Sequence, residues 1–309
     1  MLAKTNTLPF MENKKKILFI VNPISGNGRK LPLYRAIRST IDREKFDLYI
    51  QHTKYAGHAA EMASKAAAEN FDIVVAVGGD GTVNEVARAI VHTRTALGII
   101  PCGSGNGLAR HLHIPLNARK ALKVINEATI QCLDYGRIDG RPFFCTCGMG
   151  YDADVSMEFA NAGRRGLKTY VEKGIMEGLR YKPQPYTIEN EDGTMQYKAF
   201  LIACANASQY GNDAYIAPLA SMKDGLLDVV IMEPFNKLMA PKVAVQLFRK
   251  TLPNNSHIRN FKAKKIRITR PCEGPIHCDG DPFMAGREVV VEIVPQSLNA
   301  VVNPQNEEV

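Results

Sequence analysis

The run Val74-Val75-Ala76-Val77-Gly78-Gly79-Asp80-Gly81-Thr82-Val83-Asn84-Glu85-Val86 constrains this chain more than any other segment. Its β-branched start reads as a buried strand, and its glycines with one carboxylate read as a tight turn. The apolar spacing Val83, Val86, Ala87 and Ile90 then reads as the inner face of a helix. Gly-Asp-Gly alone is a common turn, because glycine takes positive φ at little cost. Strand, glycine turn and helix in this order form the arrangement in which amides at a helix start face a phosphate. Thr82 stands where an N-cap is expected, with Glu85 at the matching position of a capping box. Asp80 inside the turn points to a metal or a reacting hydroxyl.

The same unit recurs. Lys16 to Val21 leads into Asn22-Pro23-Ile24-Ser25-Gly26-Asn27-Gly28, and Leu97 to Ile100 leads into Pro101-Cys102-Gly103-Ser104-Gly105-Asn106-Gly107. A further strand is expected over 46–52, and helices over 32–42, 58–68 and 108–111. Such alternation predicts a parallel sheet covered by helices. Ligands of open α/β sheets bind beyond the carboxyl ends of the strands, so three Gly/Ser/Asn-rich loops are expected to converge there. The Walker spacing is absent and the Gly-x-Gly-x-x-Gly fingerprint is unmet.

From about Asp134 strand-like runs dominate: 143–147, 186–189, 197–205, 227–232, 265–269 and 289–294. Two helical stretches interrupt them, over 155–181 and 237–252. The expected class is therefore α/β in two parts. Residues 15–133 form a parallel α/β domain and 134–295 an antiparallel β domain with inserted helices. Residues 296–303 return to the first part, and 1–14 form a frayed tail.

Composition narrows the partners. The chain of 309 residues carries 39 Lys and Arg against 31 Asp and Glu, a net charge of +8. No run approaches the roughly 18 apolar residues of a membrane span. The N-terminus lacks a signal peptide's apolar core, so a cytoplasmic protein is expected. A basic balance suits nucleic acid, anionic membrane or phosphorylated ligands. Neither zinc-finger spacing nor an aromatic-rich RNA-binding strand is present, which sets nucleic acid aside. Two basic amphipathic stretches can lie on an anionic bilayer or pack on their own domain. One places Arg164, Arg165, Lys168, Lys173, Arg180 and Lys182 around Leu167, Tyr170 and Ile175. The other places Lys237, Lys242, Arg249 and Lys250 around Leu238, Met239, Val243, Leu247 and Phe248. Association into a homodimer stays open. The seven cysteines include no Cys-x-x-Cys pair. Cys145 and Cys147 are expected to alternate along one strand toward one face, as buried hydrophobes or a metal pair. His111 and His113 read as structural or surface residues.

Taken together, Asn22-Pro23-Ile24-Ser25-Gly26, Gly78-Gly79-Asp80-Gly81-Thr82 with Asn84-Glu85, the Pro101 to Asn106 loop and Asp279-Gly280-Asp281 resemble the diacylglycerol kinase catalytic-domain family, over nearly the whole chain. That family includes bacterial soluble lipid kinases and the sphingosine and ceramide kinases. The resemblance implies a nucleotide-binding domain related to those of NAD kinases and phosphofructokinases, and a β-sandwich domain, with ATP and a lipid between them. ATP contacts are implied at Asn22, Pro23, Ile24, Ser25, Gly26, Thr53, Gly79, Asp80, Gly81, Thr82, Val83, Asn84, Glu85 and Ser104. A Mg²⁺ is implied at Ser221-Met222-Lys223-Asp224-Gly225-Leu226, through the Asp224 carboxylate and the backbone oxygens of Ser221 and Leu226. A plain turn between strands is the other reading of that loop.

The family's Asp-Gly-Glu carries the general base, and here the glutamate position holds Asp281, one methylene shorter. Asp80 is the alternative base. A third outcome is weak or lost transfer activity. Asp134 either orients metal or base, or serves as an inter-domain turn. Arg29 and Lys30 either assist at the phosphates or are surface charges. The acceptor implied is a lipid hydroxyl, with diacylglycerol ahead of a sphingoid base. Gly107 stands where bacterial diacylglycerol kinases have an aspartate, and Pro-x-Gly-Ser-Gly-Asn is the sphingosine-kinase form. An NAD kinase-like soluble-substrate kinase is disfavoured by Asn84-Glu85, and a regulator without transfer activity is the remaining alternative. A lipid substrate implies peripheral association with a membrane.

Overall fold

The computed structural model describes residues 14–26, 31–161 and 181–304. The expected tail before Lys14, the loop residues 27–30 and the basic cluster from Arg164 to Arg180 lie outside them.

Strands β1 (Lys15–Val21), β2 (Phe46–His52), β3 (Ile73–Gly78) and β4 (Ala96–Pro101) are parallel, in the order β2-β1-β3-β4. All six residues of β3 and of β4 are buried, as strands covered on both faces require. β2 lies at the edge and alternates between buried and exposed positions over its first residues. Helices α1 (Leu31–Thr40), α2 (His58–Ala68) and α3 (Asp80–Ile90) intervene, and α4 (Gly107–His111) follows β4. The next helix, α5 (Ala118–Glu127), has no counterpart in the sequence reading. Asn117 caps it by accepting from the Arg119 and Lys120 amides, and Ala121, Leu122, Val124 and Ile125 are buried.

The second half contributes β5 (Ile130–Ile138), β6 (Arg141–Phe143), β7 (Thr146–Gly150), α6 (Tyr151–Asn161), β8 (Gln184–Asn190), β9 (Gly193–Ala199) and β10 (Leu201–Ala205). It continues with β11 (Leu227–Met232), α7 (Ala240–Phe248), β12 (Ile258–Ala263), β13 (Lys265–Thr269), β14 (Gly274–Cys278), β15 (Asp281–Ala285) and β16 (Glu288–Val301). An antiparallel sheet runs β12-β11-β10-β7-β14-β15. The remaining strands extend the first sheet through β16. That strand lies antiparallel to β13 and β5, and its Ala300 lies parallel to Leu97 of β4. A register shift between Val294 and Leu298 lets one strand serve both halves. Between the two sheets lies a core that includes Phe143, Ile188, Ile202, Val229, Ile266 and Ile276.

One expected strand is broken. β6 ends at Phe143 and β7 begins at Thr146, because the amides of Phe144, Cys145 and Thr146 all turn toward Asp279. The bend disrupts the alternation expected of Cys145 and Cys147. Cys145 joins the core of the first half and Cys147 the core between the sheets. Burial pushes both thiols well above the ordinary cysteine value, so they behave as small apolar groups.

Candidate active site

Three loops meet at the carboxyl ends of β1, β3 and β4. The Asn22 amide donates to the Val77 carbonyl at 3.0 Å and the Cys102 amide to Gly78 at 2.7 Å. Asn22 Nδ2 donates to Thr82 Oγ1 at 3.1 Å. The second and third loops pack backbone on backbone. A Cβ on Gly103 would stand 2.6 Å from the Gly79 Cα, so only glycine allows this approach.

Helix α3 starts earlier than the capping-box reading required. Extended Gly79 is its N-cap, and no side chain caps it. Thr82 is therefore inside the first turn and buried. Glu85 consequently sits further along the helix and faces α2. Its Oε1 accepts from the Gly57 amide at 2.8 Å and its Oε2 from Ala59 at 3.1 Å, so it caps α2 instead of α3. The first-turn amides of α3 have no intrahelical acceptors and open at the loop junction.

The carboxylates divide by what they hold. Asp80 Oδ2 accepts from the Asn106 amide at 2.9 Å and Oδ1 from Gly107 at 2.7 Å. It thereby locks the β3 loop onto the start of α4. Asp279 accepts from the amides of Phe144, Cys145 and Thr146, at 2.8, 2.7 and 3.0 Å, and from Asn84 Nδ2 at 2.8 Å. Burial pushes its carboxyl up, and the four donors pull it only part of the way back. The bond from Asn84 joins the first half to the turn between β14 and β15. Asp281, first residue of β15, is exposed and lies opposite Cys278. Its hairpin is clamped by Arg270, whose guanidinium donates to the carbonyls of Gly274, Pro275, Ala285 and Gly286. The sequence reading missed Arg270, since an isolated arginine at a strand end gives no local signal.

The other expected contacts spread around the junction. Pro23, Ile24 and Gly26 are exposed at its rim, and the Ser25 hydroxyl donates to the Asn22 carbonyl. Gly81 and Ser104 are exposed, and the Thr53 amide donates to Val21. The Val83 side chain is buried in the first core, which leaves only its backbone near the loops. Arg29 and Lys30 lie outside the described residues. Arg110, which the sequence reading also passed over, ties the β4 loop to the second half. It donates to the Gly105 carbonyl at 3.1 Å and pairs with Asp213 at 2.5 Å.

The loop implied to hold Mg²⁺ is organised differently. Asp224 Oδ1 accepts from the Leu226 amide at 3.0 Å, and Oδ2 pairs with Lys262 Nζ at 2.5 Å. Lys262 also stands 3.3 Å from Asp228. Burial works against this ammonium, but the two carboxylates outweigh it and raise its pKa. The Ser221 hydroxyl accepts from the Lys223 amide. Among the described residues no group of three or more His, Cys, Asp or Glu is placed to hold a metal. Asp224, the carboxylate of the loop, is thus paired with a lysine in this structure. Asp134 is buried and accepts from the amides of Gly225 and Gln296, at 2.8 and 2.7 Å. It lies within β5, not in the inter-domain turn of its other reading, and fastens this loop to β16.

Residues 16–138 match the diacylglycerol kinase catalytic domain, and residues 145–302 match the YegS C-terminal NAD kinase beta sandwich-like domain. The chain is 26% identical over 272 residues to a diacylglycerol kinase of Bacillus subtilis, covering 86% of this chain and 90% of that one. It is 27% identical over 265 residues to a Chromohalobacter salexigens protein named "Probable lipid kinase YegS-like", covering 84% and 85%. A crystal structure of a diacylglycerol kinase from Bacillus anthracis superposes with a TM-score of 0.74 at 24% identity, covering 95% of this chain and 99% of that one. An Archaeoglobus fulgidus NAD kinase in complex with ATP shares the fold at a TM-score of 0.53 and 12% identity, covering 94% of each.

Proposed function

Because the chain belongs to the family built from a diacylglycerol kinase catalytic domain followed by a YegS-type β-sandwich domain, we propose that it transfers the γ-phosphoryl group of ATP to the hydroxyl of diacylglycerol at a membrane surface. In this reading ATP enters as its magnesium complex, a substrate. Its phosphates lie against the loops at Asn22, Gly79 and Gly103 and the open first turn of α3. Transfer of this kind depends mainly on positioning and on neutralising charge. Backbone amides supply both at a helix start.

Asp281 is the base in this scheme. It accepts the proton of the acceptor hydroxyl as that oxygen bonds to the γ-phosphorus. The bond from phosphorus to the bridging oxygen breaks, and ADP leaves with the electron pair. The observation that supports the assignment is the place of Asp281: it is exposed at the start of β15, two residues beyond Asp279, which Asn84 ties to the first half. Both oxygens of Asp80 hold backbone amides, and both oxygens of Asp279 hold donors. Asp281 begins the second strand of the hairpin whose turn carries Asp279.

The test is transfer from labelled ATP in mixed micelles of diacylglycerol, sphinganine, ceramide or monoacylglycerol, with NAD as a soluble control. Diacylglycerol is expected to be labelled fastest. Preference for sphinganine would move the acceptor to a sphingoid base, and label only in NAD would overturn the lipid reading. Asp281→Asn is expected to lower kcat by about 10²-fold or more with ATP binding intact. Near-normal turnover in that variant would remove Asp281 from the role.

A further inference from the structure

Helix α7 has apolar residues on both faces. Inward, Val243 and Leu247 pack on the core beneath the outer face of the antiparallel sheet. Outward, Pro241, Ala244, Val245 and Phe248 follow the i, i+3, i+4, i+7 spacing of one helix face, and all are exposed. Val245 is 50% exposed, Phe248 53%, and Leu238 in the preceding turn 85%. No residue of the helix is buried. An apolar stripe of this kind left in water needs a partner.

Charge identifies that partner. Lys237, Lys242, Arg249 and Lys250 are exposed around the stripe, and no acidic residue occurs from Pro234 to Thr251. Exposed apolar side chains ringed by cations fit an anionic bilayer, where the apolar groups enter the headgroup boundary and the cations meet lipid phosphates. Position supports the same partner. The Leu247 carbonyl accepts from the Tyr215 amide, and Lys250 stacks on the Tyr215 ring at 4.4 Å. The segment leading to Tyr215 touches the β4 loop through Asn212, whose amide donates to Gly105 at 3.0 Å, and through the pair of Asp213 with Arg110. A short run of direct contacts therefore connects α7 with the phosphate loops.

We propose that the outward face of Leu238 and α7 docks on an anionic phospholipid surface and sets the candidate active site against it. The inference rests on the lipid-kinase reading for its purpose, but its test is separate. Vesicles of phosphatidylcholine, with and without phosphatidylglycerol, are sedimented with the full chain. Binding is expected only with phosphatidylglycerol, and it should weaken as salt rises. Val245→Ser/Phe248→Ser should reduce binding by at least about tenfold, and Lys242→Glu/Arg249→Glu should abolish its dependence on phosphatidylglycerol. Both variants should phosphorylate a short-chain, monomeric diacylglycerol at the parent rate and lose rate only on vesicle-embedded acceptor. Equal vesicle binding by parent and variants, or none by the parent, overturns the docking. So does a solution dimer that dissociates in Val245→Ser/Phe248→Ser while vesicle binding persists, because the stripe then joins two copies. Loss of binding in the variants from a parent that phosphorylates no acceptor upholds the docking and removes the kinase reading instead.

Discussion

Ser208 donates its amide to His111 Nδ1 at 3.2 Å, which places the proton of the neutral ring on Nε2. That Nε2 is buried and has no hydrogen-bond partner among the described residues. Burial, with His113 nearby, lowers the His111 pKa to about 4. The unfolded chain binds a proton there below about pH 6.5, and the native state does so only near the lowered value. The native state is therefore favoured above this window and loses stability as pH falls through it. Between about pH 7.5 and pH 5 the loss should reach about 2 kcal/mol. Urea midpoints at the two pH values should show it, and His111→Gln should flatten the slope whatever it does to stability at neutral pH. An unchanged slope would mean that His111 is protonated in the native state. The sequence leaves His111 as either structural or surface; it is buried, and the consequence depends on Ser208, 97 residues away.

At the scale of elements, the repeated strand-loop-helix units were legible because their order fixes a parallel sheet, and in the described structure their loops meet. The details that failed were decided by tertiary partners. Glu85 matched a capping box, yet packing turns it to α2. Phe143 to Cys147 alternated like one strand, yet Asp279 bends it by taking three successive amides. The Ser221 to Leu226 loop has a partner that its sequence does not reveal. Its sequence has the pattern of a cation loop, while Lys262, on the neighbouring strand β12, supplies the positive charge through pairing that places it opposite Asp228. Removing divalent ions with a chelator should therefore leave the melting temperature of the chain unchanged. Lys262→Met should lower it by about 2–4 °C, because Asp224 and Asp228 lose their shared cation. Added Mg²⁺ should restore that variant and not the parent. Destabilisation of the parent by the chelator would return the loop to metal binding.

For the whole molecule, the question is whether two family domains behave as two bodies. No helix among the described residues is long and apolar enough to cross a membrane, and the fold holds separate buried cores in its two halves. β16 makes the join. Its first part pairs with β13, its length pairs with β5, and its end enters the parallel sheet beside β4. Leu298, Ala300, Val301 and Val302 are buried in the first core, while Val289 and Val291 belong to the second. Asn84 with Asp279 and Arg110 with Asp213 add polar links between the halves. Separating the halves would strip β16 from one sheet and expose both cores, a cost well beyond that of an ordinary polar domain interface. Calorimetry should accordingly show one transition, with equal calorimetric and van't Hoff enthalpies. Leu298→Ala, buried in the first core, should lower that transition as a whole by about 2–5 kcal/mol. Two resolved transitions, with only one moved by Leu298→Ala, would show that β16 does not couple the halves, and would make the contact between Asn84 and Asp279 a loose one.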